Sequence, residues 1–242
     1  MSQQKIVMFV GCQGAYNRKE IPTNAVKVLN KLRIPFSLMK EEWCCGNPLL
    51  RTGQRAQAEE MAKHNLEQMK GAEKIITTCA ECNRAFRVDY PKMGLEVPFE
   101  VMHITEFLSG LLDEGKLKLE HPVEMKVTYH DPCYMGRRMD FPIYDEPRKL
   151  LAAIPNLELV EMFNTRDYSW CCGAGGGFKA LHPDTAVEIA GDRLKQANDV
   201  GAVAIVSACP FCKWNFDDAV KATESNMKIY DIVELVAKSL GL

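Results

Sequence analysis

Residues 167–178 read DYSWCCGAGGGF, and residues 41–50 read EEWCCGNPLL. The shared Trp-Cys-Cys-Gly, at Trp43–Gly46 and again at Trp170–Gly173, sets two cysteines side by side in each half of the chain. Neighbouring cysteines make a poor disulfide with each other, because the bridge strains the peptide between them. The surrounding cysteines show what the pairs belong to. They fall at 12, 44, 45, 79 and 82, then at 133, 171, 172, 209 and 212, so each set reads C-x(n)-C-C-x(n)-C-x-x-C. The gaps are 31 and 33 residues in the first set and 37 and 36 in the second. Other segments repeat in phase: HITEF at 103–107 answers DIVEL at 231–235, each at nearly the same distance beyond its last cysteine. The chain is therefore read as two homologous halves, residues 1–118 and 119–242, joined in the charged stretch DEGKLKLEHP at 113–122.

Each half alternates strand and helix signals. In the first, strands are expected at Lys5–Gly11, Ser37–Met39, Lys74–Thr78 and Phe99–Met102, from short apolar runs bounded by polar residues. Helices are expected at Thr23–Leu32, Thr52–Lys70 and Glu81–Tyr90. In the second, strands are expected at Lys126–Tyr129, Leu157–Met162 and Ala204–Ser207, with helices between and after them. The alternation predicts an α/β fold with a small parallel sheet flanked by helices in each half, the halves related by pseudo-twofold symmetry. On that reading Cys12, Cys79, Cys133 and Cys209 stand just past strand carboxyl ends, the edge where open α/β sheets place ligands.

Composition narrows the function. The 242 residues are 47% hydrophobic and 26% charged, with a formal net charge of -2. That balance lacks the basic excess of a nucleic-acid footprint. No apolar run approaches the ~18–20 residues of a membrane span. The N-terminal MSQQK does not read as a secretory leader, so the expected location is the cytoplasm, with any membrane reached only through a partner. Ten cysteines in a reducing compartment point to metal ligation or redox chemistry rather than disulfide staples.

Three roles compete for the cysteines. Buried structural thiols account for one or two positions but not for a repeated set of five. CPFC at 209–212 and CAEC at 79–82 each follow a strand and open a helix, as a dithiol redox motif does, yet such a motif needs none of the other three cysteines. Four thiolates satisfy a zinc ion or a cubane cluster, and five are one too many. Adjacent side chains reach two irons of one larger cluster more easily than one ion, so the doubled cysteine favours a polynuclear iron–sulfur cluster. Gly46 and Gly173 let the backbone turn sharply beside it. Gly175, Gly176 and Gly177 are candidates for aiming N–H groups at sulfides, since they fail the dinucleotide fingerprint. Trp43 and Trp170 are read either as shields against water or as core aromatics. Arg51, Arg137, Arg138 and Lys179 flank the motifs, either as holders of an anionic substrate or as solvated surface.

The tandem pattern resembles the CCG domain, a cysteine-rich module of the disulfide-splitting subunit of heterodisulfide reductase. The module also occurs in that enzyme's two-subunit relative and in iron–sulfur subunits of lactate and glycerol-3-phosphate dehydrogenases. FVGCQGAYNR at 9–18 and WCCGNP at 43–48 look like the first motif of that family; TYHDPCYMGR at 128–137 and CCGAGGGF at 171–178 look like the second. The resemblance implies two noncubane [4Fe-4S] clusters. Cys12, Cys44, Cys45, Cys79 and Cys82 would hold one; Cys133, Cys171, Cys172, Cys209 and Cys212 would hold the other. It further implies a small disulfide or thiol substrate split between them; His130 and Asp131, two or three residues before Cys133, are the candidate proton suppliers, with a hydrogen-bonded structural role the alternative for His130. The His-Asp-Pro before Cys133 is closer to the dehydrogenase-type and two-subunit relatives than to the soluble heterodisulfide reductase. An electron-relay role in a lactate or glycerol-3-phosphate dehydrogenase type of complex is the alternative, and a zinc-bearing assembly module a third. The chain has no cubane motif of the C-x2-C-x2-C-x3-C-P kind and no flavin or nicotinamide motif, which implies a cubane iron–sulfur partner subunit and a flavin-containing one.

Overall fold

The computed structural model describes residues 5–242; Met1–Gln4, part of the stretch read as lacking a leader, lie outside the described residues. The first half runs β1 (Ile6–Phe9), α1 (Cys12–Tyr16), α2 (Glu20–Lys31), β2 (Ser37–Leu38), α3 (Asn47–Arg51), α4 (Arg55–Gln68), β3 (Lys74–Thr77) and α5 (Ala80–Arg84). A wide π-helical turn, Ala85–Asp89, carries α5 into α6 (Tyr90–Lys92), and β4 (Glu100–His103) and α7 (Ile104–Asp113) follow. The second half repeats the plan with β5 (Met125–Tyr129), α8 (Asp145–Ala152), β6 (Leu157–Leu159), α9 (Phe178–Leu181), α10 (Pro183–Asp199), β7 (Ala204–Ser207), α11 (Pro210–Ala222), β8 (Lys228–Asp231) and α12 (Ile232–Ser239). Each half forms a four-stranded parallel sheet, ordered β2-β1-β3-β4 and β6-β5-β7-β8.

The inner strands are buried on both faces, as helix-covered parallel strands must be. Every residue of β7 is buried, as are Ile75, Ile76 and Thr77 of β3. The in-phase HITEF and DIVEL segments become the same device in both halves. The His103 and Asp231 side chains cap α7 and α12, while Glu106 and Glu234 reach back to the cap residue's own N–H. These are capping boxes, satisfying two orphan donors at each helix start.

One hydrophobic core runs through both halves. α2 packs on α12, α7 packs on α8, and the equivalent helices α7 and α12 touch each other. Self-contact between equivalent elements is what a twofold relation produces. The connector is more apolar in effect than its charge suggests: Leu117, Leu119 and Val123 are buried in the shared core. Among the described residues no helix is long and apolar enough to cross a membrane.

Several boundaries differ from expectation for local reasons. α2 starts at Glu20 rather than Thr23, with Pro22 in its first turn, where the missing N–H leaves no bond unmade. The helix expected over 52–70 is confined to 55–68, because Gly53 at φ +85° breaks the entry. β6 stops at Leu159, since only three of its residues pair with β5. β8 is a strand that the sequence does not announce; it is short and exposed at Lys228, without a long apolar run.

Candidate metal centre

All ten cysteines are free thiols, and they gather at the carboxyl ends of the two sheets. Cys12 and Cys133 follow β1 and β5; Cys79 and Cys209 are the N-cap residues of α5 and α11 after β3 and β7. The pairs Cys44–Cys45 and Cys171–Cys172 lie in loops entering α3 and α9. Gly46 (φ +76°) and Gly173 (φ +85°) turn those loops, and helix backbone lies so close that a Cβ at Gly173 would sit 2.8 Å from the Ala186 carbonyl oxygen.

The thiols touch in sequence. Cys12 Sγ is 3.6 Å from Cys44 Sγ. The Cys44, Cys45, Cys82 and Cys79 thiols lie near enough to act on one another's protons. In the second half the same holds for Cys133, Cys171, Cys172, Cys212 and Cys209. The two sets adjoin at Cys79 and Cys209, equivalent positions whose thiols act on each other. Crowding sorts the protons. Hydrogen bonds from Cys12 and Cys45 hold the Cys44 thiol far below its ordinary value, and bonds from Cys133 and Cys172 do the same for Cys171. Their neighbours Cys12 and Cys133 are pushed up in return, first by that same bond and then by burial. Burial and mutual repulsion hold most of the other thiols up as well, so a full set of thiolates here calls for a positive centre to offset their charge.

Each half clamps its doubled-cysteine loop. In the first, Asn65 on α4 accepts from the Trp43 N–H and donates to the Trp43 and Cys44 carbonyls. Arg51 and Asn47 both donate to Asp89, and Tyr90 donates to the Cys45 carbonyl. In the second, Asn215 on α11 donates to the Cys172 and Ala186 carbonyls, while buried Lys179 bonds to Asn215 and Asp218. Glu42 accepts from the Val10 and Gly11 N–H groups and so fixes the turn before Cys12.

Arg51 and Lys179 are therefore engaged inside the protein rather than open to an anion. Arg137 donates to the Ser169 carbonyl, and Arg138 lies over the Tyr134 ring with its side chain exposed. Trp43 and Trp170 are half-exposed, so the core-aromatic reading fails for both. Trp43 stacks on His64 with ring centres 3.9 Å apart. The glycine run faces the other half: the Gly176 N–H donates to Glu81 Oε1 at 3.1 Å, and a Cβ at Gly175 would strike the same oxygen. Among these N–H groups it is Gly173 that donates to a sulfur, Cys171 Sγ, at 3.4 Å.

Asp131 is buried and held by a two-armed bond from Arg148 (2.7 and 2.9 Å) and by the Arg166 N–H. His130 is fully buried, edge-on to Phe216, with neither ring nitrogen partnered. Burial holds its imidazole well below the usual histidine range. A ring nitrogen of His130 and the sulfurs of Cys172 and Cys212 all lie within 4.8 Å of one another. Residues the sequence did not single out also face the site. Glu81, from the CAEC spacer, is buried between the halves, and burial first, then the charge of Cys209, pushes its carboxyl up to about 8. Arg193, in the middle of α10, is fully buried.

Comparison with known proteins agrees with the repeat. A family model described as a cysteine-rich domain, CCG, matches residues 6–87 and again residues 127–217. The chain is 46% identical over 244 residues to one subunit of the dihydromethanophenazine:CoB–CoM heterodisulfide reductase of Methanosarcina barkeri, covering 98% of this chain and 59% of that protein. It is 34% identical over 233 residues to one subunit of the fumarate reductase (CoM/CoB) of Methanothermobacter marburgensis, covering 96% of this chain and 46% of that one. The chain thus spans roughly half the length of these curated relatives. Among solved structures, a hypothetical protein from Helicobacter pylori superposes with a TM-score of 0.72 at 11% identity, over 100% of this chain and 50% of that one, a likeness of fold alone.

Proposed function

The chain belongs to the cysteine-rich CCG domain family, and we propose that it is the iron–sulfur redox subunit of a complex like heterodisulfide reductase, acting in disulfide reduction or thiol oxidation. In this reading Cys12, Cys44, Cys45, Cys79 and Cys82 of the unit 1–118 hold one noncubane [4Fe-4S] cluster. Cys133, Cys171, Cys172, Cys209 and Cys212 of the unit 119–242 hold the second. The observation that carries the reading is the gathering of ten free cysteines at the carboxyl edges of two parallel sheets, the two sets adjoining at Cys79 and Cys209.

The residues fit such groups. Five thiolates in each half suit a fused cluster better than a four-ligand ion. When bound, the clusters supply one-electron steps. The chain supplies their setting: the Asn65 and Asn215 clamps fix the doubled cysteines, and Gly46 and Gly173 bring helix backbone close enough to exclude water. Proton supply belongs to the same proposal. His130 has both ring nitrogens unpartnered and one of them within 4.8 Å of the Cys172 and Cys212 sulfurs, whereas Asp131 would first have to leave Arg148. Electrons reach this chain from a cubane iron–sulfur subunit and a flavin-containing subunit, on the cytoplasmic side of any membrane.

The test is iron and sulfide analysis of protein purified anaerobically with its native partners, followed by thiol addition. The reading expects about eight irons and eight sulfides per chain. It also expects a small thiol, added to the oxidised protein, to change the EPR signal of at least one cluster. One zinc per chain, with iron in only one half, would overturn the two-cluster reading. Two intact clusters indifferent to thiols would move the assignment to electron relay.

A further inference from the structure

The halves hold their cysteines alike, yet two positions beside the sulfurs differ in chemistry. Three residues ahead of Cys12 stands Phe9; three residues ahead of Cys133 stands His130. The packing is the same in both places. Phe9 meets Phe86 edge-on at 5.0 Å, and His130 meets Phe216 edge-on at 4.8 Å. Phe86 and Phe216 each stand four residues past the last cysteine of their set. An imidazole thus occupies a phenyl ring's place, fully buried, with both nitrogens unpartnered. A buried polar group left unpaired is unfavourable, so a partner outside the protein chain is implied.

The second difference lies on the helix behind the doubled cysteines. The Gly46 turn abuts Ala58, and the Gly173 turn abuts Ala186, which aligns α4 with α10. Seven residues further on stand Asn65 and Arg193, both fully buried. Asn65 clamps the Cys44 loop; in the second half Asn215 is the clamp, and Arg193 is released from that role. Arg193 donates to the Asn164 carbonyl and to the Gln196 side chain, but its Nε and second terminal nitrogen have no partner. No carboxylate among the described residues lies within 4 Å of its guanidinium. Burial first pushes its guanidinium down to about 10; the charges of Asp131, Cys212 and Cys172 oppose that and Arg137 adds to it, while Arg148 already pairs with Asp131. A buried cation without a pair is strongly unfavourable. Its countercharge is supplied if the five thiolates carry a net negative centre.

We propose that the second set of cysteines forms the more easily reduced of the two centres, because His130 and Arg193 turn N–H groups and a positive charge toward it where the first set meets Phe9 and Asn65. The inference rests on the reading that each set holds a cluster. Hydrogen bonds to sulfur and nearby positive charge stabilise the electron-rich, reduced state of a cluster and raise its potential. The electron arriving on this chain then comes to rest at the second set.

The test is an EPR-monitored potentiometric titration of the anaerobic complex, with iron and sulfide measured on each sample. His130→Phe installs the ring the first half already packs, so the fold is expected to survive. It should lower the higher of the two midpoints and leave the other in place. Arg193→Met should do the same and Arg193→Lys, which keeps the charge, should restore it. Phe9→His should raise the lower midpoint and keeps the test independent of the Arg193 variants. Assignment to the second half follows if Cys172→Ser removes the midpoint that moves. Full iron content with unmoved midpoints, or with a shift in the lower one, overturns this inference alone. Strong nitrogen hyperfine coupling, as from a directly ligated imidazole, overturns the hydrogen-bond role of His130. Absence of iron overturns the two-cluster reading and this inference with it.

Discussion

Gly173→Ala is the substitution whose effect the structure fixes most closely. Gly173 has φ +85°, and an added Cβ would lie 2.8 Å from the Ala186 carbonyl oxygen and 3.2 Å from Ile189 side-chain atoms. Gly46, its equivalent, has φ +76° with Ala58 oxygen at 3.1 Å and Ala58 Cα at 3.2 Å. Gly53 supplies the control: its φ is +85°, but nothing lies within 4 Å of the added Cβ. The left-handed conformation alone costs a non-glycine residue about 1–2 kcal/mol. Overpacking adds roughly 1–3 kcal/mol where the neighbour cannot yield, and a helix carbonyl in its own hydrogen-bond ladder yields little. Gly53→Ala should therefore cost about 1 kcal/mol, Gly46→Ala roughly 2–3 kcal/mol and Gly173→Ala roughly 3–4 kcal/mol. At ~2–4 °C per kcal/mol for a chain of this size, Gly53→Ala loses about 3 °C of Tm and Gly173→Ala about 10 °C. Urea and thermal unfolding of anaerobically prepared protein read both. If Gly173→Ala were no worse than Gly53→Ala, the close approach of α10 would not be what the glycine serves, and the argument for both doubled-cysteine loops would fall.

Cys45→Ser and Cys172→Ser should each remove only the cluster of their own half, read as loss of about half the iron; loss of both clusters from a folded protein would mean that the sets interleave across the Cys79–Cys209 contact. A third expectation concerns pH. Burial holds the His103 imidazole at about 4, against 6.5 for a free side chain, so an unfolded chain takes up its proton first. Stability from the neutral cap is full above about pH 6.5 and is lost as pH falls toward 4, by roughly 3 kcal/mol at most. His103→Asn keeps a capping side chain without the proton, and its stability should fall less steeply over that window; parallel pH curves for the two proteins would refute the assignment.

The fold was legible because the repeat fixed the frame. With two sets of five cysteines aligned, the apolar runs at 74–78 and 204–207 read as the central strands, and the cysteines after them fall at the sheet edge that binds ligands. What stayed hidden depends on direction rather than type. Glu81 looks like a spacer inside C-x-x-C, and only the meeting of the halves turns it toward Gly176. Arg193 follows the helical spacing of Ala186, Ala190 and Leu194, positions expected to be apolar. A lone arginine in that row reads as a surface residue, because arginine is seldom fully buried. Gly175 and Gly176 look like donors to sulfide, whereas the missing Cβ of Gly175 lets the Glu81 carboxylate approach and the Gly176 N–H donates to it.

The two halves, set side by side, also bear on the proposed pair of clusters. The clamps do the same work with different residues. Arg51 pairs with Asp89 and Lys179 with Asp218, while Asn65 holds one loop from α4 and Asn215 holds the other from α11. The wide turn at 85–89 sets Asp89 seven residues past Cys82, where Asp218 stands six past Cys212, and both still meet a basic residue of the doubled-cysteine loop. Holding geometry is thus preserved through changes of side chain and even of helix register. A zinc site in one half and a cluster in the other would require different ligand numbers and different spacing. Instead the halves differ in charge and hydrogen-bond capacity, at His130 against Phe9, Arg193 against Asn65 and Glu81 against Phe211. With the two clusters proposed above, equal cages and unequal electrostatics would hold two groups of one kind at two potentials, an arrangement that gives electrons a direction from one half to the other.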